Sequence, residues 1–141
     1  MTSGLIALAA AVAVATALGF GWRSRNGKLR TAAAGAPAGS RRVSAADLGV
    51  PLGPQATLLQ FSSAFCAPCR ATRGVLAEVA GMTDGVAHVE IDAEARLDLV
   101  RRLDVLKTPT VFILGPDGQV TRRASGQPRK ADIIAALGAV A

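Results

Sequence analysis

The sequence predicts an α/β domain that follows an apolar N-terminal helix. Residues 57–62 form a short apolar run typical of a buried strand, and residues 70–82 carry apolar side chains at helical spacing. Apolar and polar residues alternate over residues 86–92, which indicates a second strand. The apolar helix is indicated by residues 5–22, a stretch without any Lys, Arg, Asp or Glu.

The N-terminal run is about as long as a helix that crosses a bilayer. A cleaved signal peptide is the competing interpretation, but it requires a positively charged region before the apolar run, and residues 1–4 contain none. The Ala-rich residues 32–38 contain cleavage-like patterns, yet they lie beyond a basic segment. We therefore expect residues 1–22 to be an uncleaved, single-pass transmembrane anchor.

The positive charge of the chain is concentrated in its first third. Residues 1–45 carry six basic and no acidic residues, whereas residues 46–141 carry ten of each. We expect residues 23–45 to be a basic, Ala/Gly/Pro-rich linker that touches anionic lipid headgroups, with a short helical turn starting at Ser44. Nucleic-acid binding is not expected, because no aromatic residues interleave the basic ones. The single domain would comprise residues 46–141.

Orientation follows from the same charge asymmetry. Basic residues come directly after the apolar run, and none comes before it. The positive-inside rule then places the basic side, and with it the folded domain, in the cytoplasm.

The two cysteines of the chain lie three residues apart, in Cys66-Ala67-Pro68-Cys69. Such a pair can form a small disulfide, exchange thiols or supply half of a metal site. A zinc site usually needs four ligands, and His88 is the only histidine, so no metal is expected. Between a strand and a helix, Cys66 would meet the free N–H groups of the first turn, which favour a thiolate.

Four segments carry a resemblance to a known family. Residues 61–70, FSSAFCAPCR, resemble the active-site segment of thioredoxins, and residues 105–112, VLKTPTVF, are similar to their cis-proline strand. Residues 115–120, GPDGQV, resemble the hairpin that joins the last two strands, and Gly126 precedes a final helix over residues 129–137. The resemblance extends from Thr57 to the C-terminus. With the apolar helix added, the chain resembles a membrane-anchored bacterial thioredoxin-like protein.

The resemblance implies a thioredoxin-like fold, in which a mixed central sheet of about four strands is flanked by helices on both faces. It implies thiol–disulfide exchange, with Cys66 as the nucleophile and Cys69 as the resolving cysteine. No cofactor beyond the redox-active disulfide is implied. The implied partners are protein thiols and disulfides and a redox reductase or membrane electron donor, and the protein would be a monomer. The implied substrate-binding residues are Phe65, Ala67, Pro68, Thr108, Pro109 and Gly126.

The sequence departs from the family pattern beneath the cysteines. Gln60 occupies the position of a buried Asp, and His88 occupies that of a Lys near this Asp. Gln60 cannot titrate, whereas His88 can titrate near neutrality. Both are candidates for proton transfer, although His88 can equally be a strand histidine bonded to a neighbour. Phe65 replaces the tryptophan that usually precedes the first cysteine.

Two other functions remain open at this point. With inverted topology, the same domain would be an extracytoplasmic reductant for cytochrome or disulfide maturation. Alternatively, it would be a non-catalytic thioredoxin-fold binding module, although the intact Cys66–Cys69 pair and Thr108-Pro109 argue against that.

Overall fold

A computed structural model describes residues 2–32 and 41–140. The helices are α1 (Thr2–Arg25), α2 (Ala45–Leu48), α3 (Ala67–Gly81), α4 (Leu97–Arg102) and α5 (Lys130–Gly138). The strands are β1 (Arg30–Thr31), β2 (Ala56–Ser62), β3 (Val86–Asp92), β4 (Thr110–Leu114) and β5 (Val120–Ser125).

The strands form one sheet in the order β1-β5-β4-β2-β3. Strands β2 and β3 are parallel and the other pairs are antiparallel, so the predicted mixed sheet is confirmed. The sheet has five strands rather than four. The fifth is β1, in which Arg30 lies opposite Arg123 and Thr31 opposite Arg122.

The core lies on both faces of the sheet. On the face covered by α3 and α5, Leu58 and Val111 pack with Leu76 and Ile133. On the face covered by α4, the strands contribute a second buried cluster: Leu59, Phe61, Phe112 and Leu114, packed with Leu99 and Leu103. Side chains alternate between the faces along each strand, so consecutive residues of β2 enter different clusters.

Residues near the start and near the end of the predicted linker, Gly27 and Val43, contact the folded domain. The Gly27 N–H donates a 2.9 Å hydrogen bond to the Ser125 carbonyl. Val43 is fully buried, and its N–H donates to the Gly118 carbonyl at 2.9 Å. Packing therefore begins upstream of residue 46, where we placed the start of the domain. Residues 33–40 of that linker lie outside the described residues.

A capped turn follows this segment, as predicted. The Ser44 side chain accepts from the Asp47 N–H, and the Asp47 carboxylate accepts from the Ser44 N–H. This reciprocal capping box starts α2, and Gly49 ends it in the left-handed conformation with φ 71°.

Helix α1 is longer than the predicted apolar run, with basic residues Arg23 and Arg25 in its last turn. Within the described residues it is the one helix whose length and apolar composition suit a membrane crossing. A signal sequence near the N-terminus has the same features. None of the most apolar stretch is buried against the rest of the protein.

Candidate active site

The two cysteines lie at the N-terminal end of α3 and form a disulfide, with 5.2 Å between their Cα atoms. Cys66 is the N-cap residue, and its Sγ accepts from the Cys69 N–H at 3.2 Å. Pro68 has no backbone N–H. It fits the first turn of α3 because an N–H at that position would have no partner within the helix. Cys66 is half-buried, whereas Cys69 is 1% exposed. One sulfur is therefore accessible to a partner and the other is shielded.

The surface beside Cys66 is apolar. Phe65 is fully exposed, and Ala67 and Pro68 are exposed as well. An exposed aromatic ring next to an accessible sulfur offers contact area to another chain.

The loop before β4 lies next to the segment that leads to Cys66. The Thr108–Pro109 peptide bond is cis. The Ser63 Oγ and Thr108 Oγ1 atoms are 2.8 Å apart, at hydrogen-bond distance. The Pro109 carbonyl accepts from the Gly126 N–H at 2.7 Å. Three of the predicted substrate-binding residues, Thr108, Pro109 and Gly126, are thus joined to one another and to the cysteine segment.

Gly126 is required at its position. Its φ is 102°, a region that side chains disfavour, and a Cβ atom would collide with the Asn26 side chain. Asn26 directly follows α1, and its Oδ1 also accepts from the Lys107 ammonium. The end of α1 therefore lies against the loop that carries Pro109.

Gln60 is fully buried and lies beneath the second cysteine. Its Nε2 donates to the Cys69 carbonyl and to the Ser62 Oγ, both at 2.9 Å. Because a carbonyl can only accept, this contact fixes the amide orientation and turns Oε1 toward His88 Nε2 at 3.3 Å. The His88 Nε2 then carries the proton that it donates to Gln60.

His88 lies one step further from the disulfide and contacts Gln60 rather than a cysteine. The pKa of His88 is lowered mainly by burial and further by the Arg73 charge, while Glu90 opposes the shift. His88 is therefore the neutral imidazole at neutral pH.

An ion pair at the surface completes this cluster. Arg73 of α3 binds Glu90 of β3 with both guanidinium arms, at 2.6 and 2.8 Å. The arginine hydrogen bond is the main reason why the pKa of Glu90 is lowered. The charge of Arg73 is thus engaged by Glu90 rather than directed at the disulfide.

The alternation in β3 could have revealed part of this cluster, because it placed His88 and Glu90 on one face. The bidentate bond to Arg73 and the link between Ser63 and Thr108 were missed, since both depend on the packing of distant segments. Within residues 2–32 and 41–140, no three His, Cys, Asp or Glu side chains come together as a metal site.

Comparison with known proteins assigns the class. The thioredoxin family profile matches residues 50–139, so the chain belongs to the thioredoxin family. The Cys66–Cys69 disulfide lies within the matched residues.

Particular relatives come from plants and bacteria. Thioredoxin H4-1 of Oryza sativa subsp. japonica is 31% identical over 57% of this chain and 62% of its own length. Thioredoxin H5 of the same organism is 28% identical over 49% of this chain and 51% of its own length. A thioredoxin of Staphylococcus saprophyticus is 27% identical over 52% of this chain and 71% of its own length. The chain thus spans only 51% and 62% of the two rice relatives.

Solved structures agree on the fold. Chloroplastic thioredoxin z superposes with a TM-score of 0.59 at 26% identity, over 70% of this chain and 90% of that chain. Thioredoxin-2, described as a component of malaria parasite protein secretion machinery, superposes with a TM-score of 0.58 at 18% identity, over 66% of this chain and 90% of that chain.

Proposed function

We propose that this protein is a membrane-tethered thiol–disulfide oxidoreductase that acts on protein thiols and disulfides. The observation that carries the proposal is the asymmetry of the disulfide. Cys66 is accessible at the N-terminus of α3, and Cys69 is shielded behind it.

The exchange proceeds in two displacements. In the reduced protein the Cys66 thiolate attacks a substrate disulfide, forms a mixed disulfide and releases one substrate thiolate. Cys69 then loses its proton and attacks the Cys66 sulfur, which restores the Cys66–Cys69 disulfide and releases the second substrate thiolate. Two electrons have passed to the substrate. A dithiol reductase or a membrane electron donor then reduces the pair again.

The exposed residues around Cys66 would bind the substrate chain. Within the described residues the Thr108 N–H and carbonyl make no backbone hydrogen bond, which leaves them for an extended substrate segment. Pro109 and Gly126 shape the groove beside them. Phe65, Ala67 and Pro68 supply its apolar side.

Gln60 and His88 would assist the second displacement indirectly. Gln60 holds the Cys69 carbonyl and cannot accept a proton from the thiol. His88 reaches that position only through Gln60, so its role is to orient the amide. In this scheme the proton of Cys69 leaves to water or to the departing substrate thiolate.

The tether would be α1, with residues 1–22 in the membrane, residues 23–45 as the basic connection at the lipid surface and residues 46–141 as the catalytic domain. Its charge asymmetry favours a cytoplasmic domain. An inverted topology would make the protein an extracytoplasmic reductant. Resistance to carbonate extraction, an intact N-terminus and activity of a C-terminal cytoplasmic reporter are the expected results and would support the proposal. A mature protein that begins within residues 32–38 would refute it.

The cysteine roles are tested by trapping. Cys69→Ser should accumulate mixed disulfides with substrate proteins, and Cys66→Ser should abolish both trapping and turnover. In the reduced wild type, Cys66 should react with iodoacetamide faster than Cys69. Residual turnover in Cys66→Ser, or equal alkylation rates, would contradict the assignment.

A further inference from the structure

A cavity of about 600 Å³ lies where the end of α1 meets the domain. Its volume falls in the range of small-molecule sites, about 300–1,000 Å³. Neither cysteine lines it, and its lining includes Phe112 and Arg123, which we take as its floor.

Basic side chains from two parts of the chain line this cavity. Arg25 belongs to α1, and Lys28, Arg30 and Arg41 belong to the arm, which is the described part of the chain between α1 and α2 (residues 26–32 and 41–44). Those from the domain are Lys107, Arg123 and Arg102, of which Arg102 is paired with Asp47 at 2.7 Å. Among the described lining residues Asp104 is the only acidic one. Cations this close repel one another, and the repulsion is relieved when an anion occupies the space between them.

Arg123 is held in place for such a contact. One guanidinium nitrogen donates to the Leu103 carbonyl at 3.0 Å, and another donates to the Asp104 carbonyl. The guanidinium carbon lies 5.3 Å from the centroid of the Phe112 ring. Burial is the main cause that lowers the pKa of Arg123, so its charge lacks full hydration. A fixed, partly desolvated arginine binds phosphate more tightly than a mobile surface side chain does.

The cavity lies at the end of the apolar helix α1, which favours a lipid headgroup as the source of the anion. Apolar side chains of α1 are exposed, including Leu18 at 69% and Phe20 at 75%. Trp22 lines the cavity, and the Lys107 ammonium lies 5.9 Å from its ring centroid. Tryptophan is enriched at the depth of lipid headgroups. The C-terminal end of a helix carries partial negative charge, but the surrounding basic residues outweigh it.

We propose that this cavity binds the phosphate of an anionic phospholipid headgroup. The inference rests on the proposed tether, because only a helix inside a bilayer brings the cavity to the headgroups. Arg123 binds the phosphate from the floor, and Lys28 and Arg30 close over it from the arm. The headgroup would hold the domain in a fixed orientation on the membrane.

Trp22 provides the readout, because it is the only tryptophan and the chain has no tyrosine. The full-length protein in uncharged detergent is titrated with short-chain phosphatidylglycerol while Trp22 emission is recorded. We expect a saturable change. Phosphatidylcholine of the same chain length, glycerol phosphate and inorganic phosphate should bind at least about tenfold more weakly, because each lacks the net anionic headgroup or the acyl chains.

Substitutions locate the binding. Arg123→Gln should weaken phosphatidylglycerol binding about tenfold, as expected for a lost charge-assisted hydrogen bond. The matched control is Arg101→Gln, which removes the same charge from an exposed position of α4 outside the cavity lining. If Arg123→Gln fails to fold, Lys28→Gln/Arg30→Gln decides the matter, because both side chains are exposed.

Three outcomes would overturn the proposal. They are an equal response to phosphatidylcholine, an equal loss in the Arg101 control, and saturation by inorganic phosphate at the same affinity, which would assign the cavity to free phosphate. Carbonate extraction tests the tether and disulfide reduction tests the enzyme. A failure of the cavity to bind the lipid headgroup is therefore distinguishable from a failure of the proposed function.

Discussion

The two faces of the central sheet differ at neighbouring residues of β2. On the α4 face, Phe61 packs edge-on against Phe112, with ring centroids 5.8 Å apart and planes at 82°. On the α3 face, Gln60 makes hydrogen bonds to Ser62, Cys69 and His88. Alternation along one strand thus separates a face that packs against α4 from a face that contacts the Cys66–Cys69 disulfide.

The energetics of the two faces differ as well. A buried aromatic ring contributes through apolar area and close packing. A buried amide contributes little net free energy, but its loss leaves several partners without hydrogen bonds. Substitutions on the α4 face should therefore change stability alone, and those on the α3 face should change both stability and exchange.

The largest effect is expected at Phe61. Phe61→Ala should reduce the free energy of unfolding by about 3–5 kcal/mol, the usual cost of removing a buried ring. The rate of disulfide exchange should stay at the wild-type value under conditions where the variant is folded. Urea unfolding and insulin reduction measure the two quantities, with Phe61→Leu as the conservative control. A parallel loss of exchange would show that the faces are not independent.

A smaller effect with a pH signature is expected at Gln60. In Gln60→Glu an oxygen replaces the nitrogen that faces the Cys69 carbonyl, so the buried carboxyl should have a raised pKa. The free energy of unfolding should fall by about 1–3 kcal/mol at pH 7, as for an unsatisfied buried group. The loss should shrink below the raised pKa, because the protonated carboxyl can donate to Cys69. The exchange rate should gain a matching pH-dependent step.

Gln60→Met is the control for this prediction, since it removes the hydrogen bonds without adding a titrating group. A double-mutant cycle with His88→Ala should give a coupling of about 0.5–3 kcal/mol, the range for residues in contact. Additive effects together with an unchanged pH profile would mean that residues 60 and 88 do not interact beneath the active site.

His88 should make stability depend on pH on the acid side of neutrality. Because its folded pKa lies below the ordinary value of 6.5, the unfolded chain takes up the proton first. The free energy of unfolding should therefore fall as the pH drops through 6.5, and His88→Gln should flatten this part of the curve. The charged groups that face His88 are Glu90 and Arg73. Glu90 acts in a separate window below 4.5, since its pKa is also lowered.

The smallest effect is expected from the surface ion pair. Arg73→Gln removes a positive charge near His88 and leaves the Glu90 charge unopposed, so both changes should raise the pKa of His88. The chain has a single histidine, so an NMR titration of its ring reports this value without assignment. Arg70→Gln, an exposed change on the same helix, should leave the value unaltered. A lowered pKa in Arg73→Gln would contradict the structure of the cluster.

Local patterns in the sequence predicted most of the fold. Alternation predicted β3 with the bounds that the structure has, and helical spacing predicted α3 to within three residues of its start. Strand β1 was not predicted, because its two residues, Arg30 and Thr31, pair with β5 through backbone groups that leave no mark on composition. The burial of Val43 was also not predicted, because it depends on contact with the distant turn between β4 and β5.

The features of the candidate site that depend on local sequence were predictable, whereas contacts between distant segments were not. The N-cap position of Cys66 follows from the change of strand into helix, and the contact of Gln60 with Cys69 follows from the family pattern. The engagement of Arg73 by Glu90 was not predicted, because it joins residues 17 positions apart on different elements. The basic cavity was also not predicted, because the arm resembles a linker in composition.

The hydrogen bond from Gly27 to Ser125 limits how far the domain can move from the end of α1. A long flexible linker would let a catalytic domain sample a large volume around its membrane anchor. Its effective concentration near any one partner would then fall as the linker became longer. Here Asn26 alone separates α1 from the residue that is bonded to β5. With α1 in a bilayer, Cys66 would face partners from a nearly constant height. The protein would then select disulfides by their distance from the membrane surface as well as by their sequence.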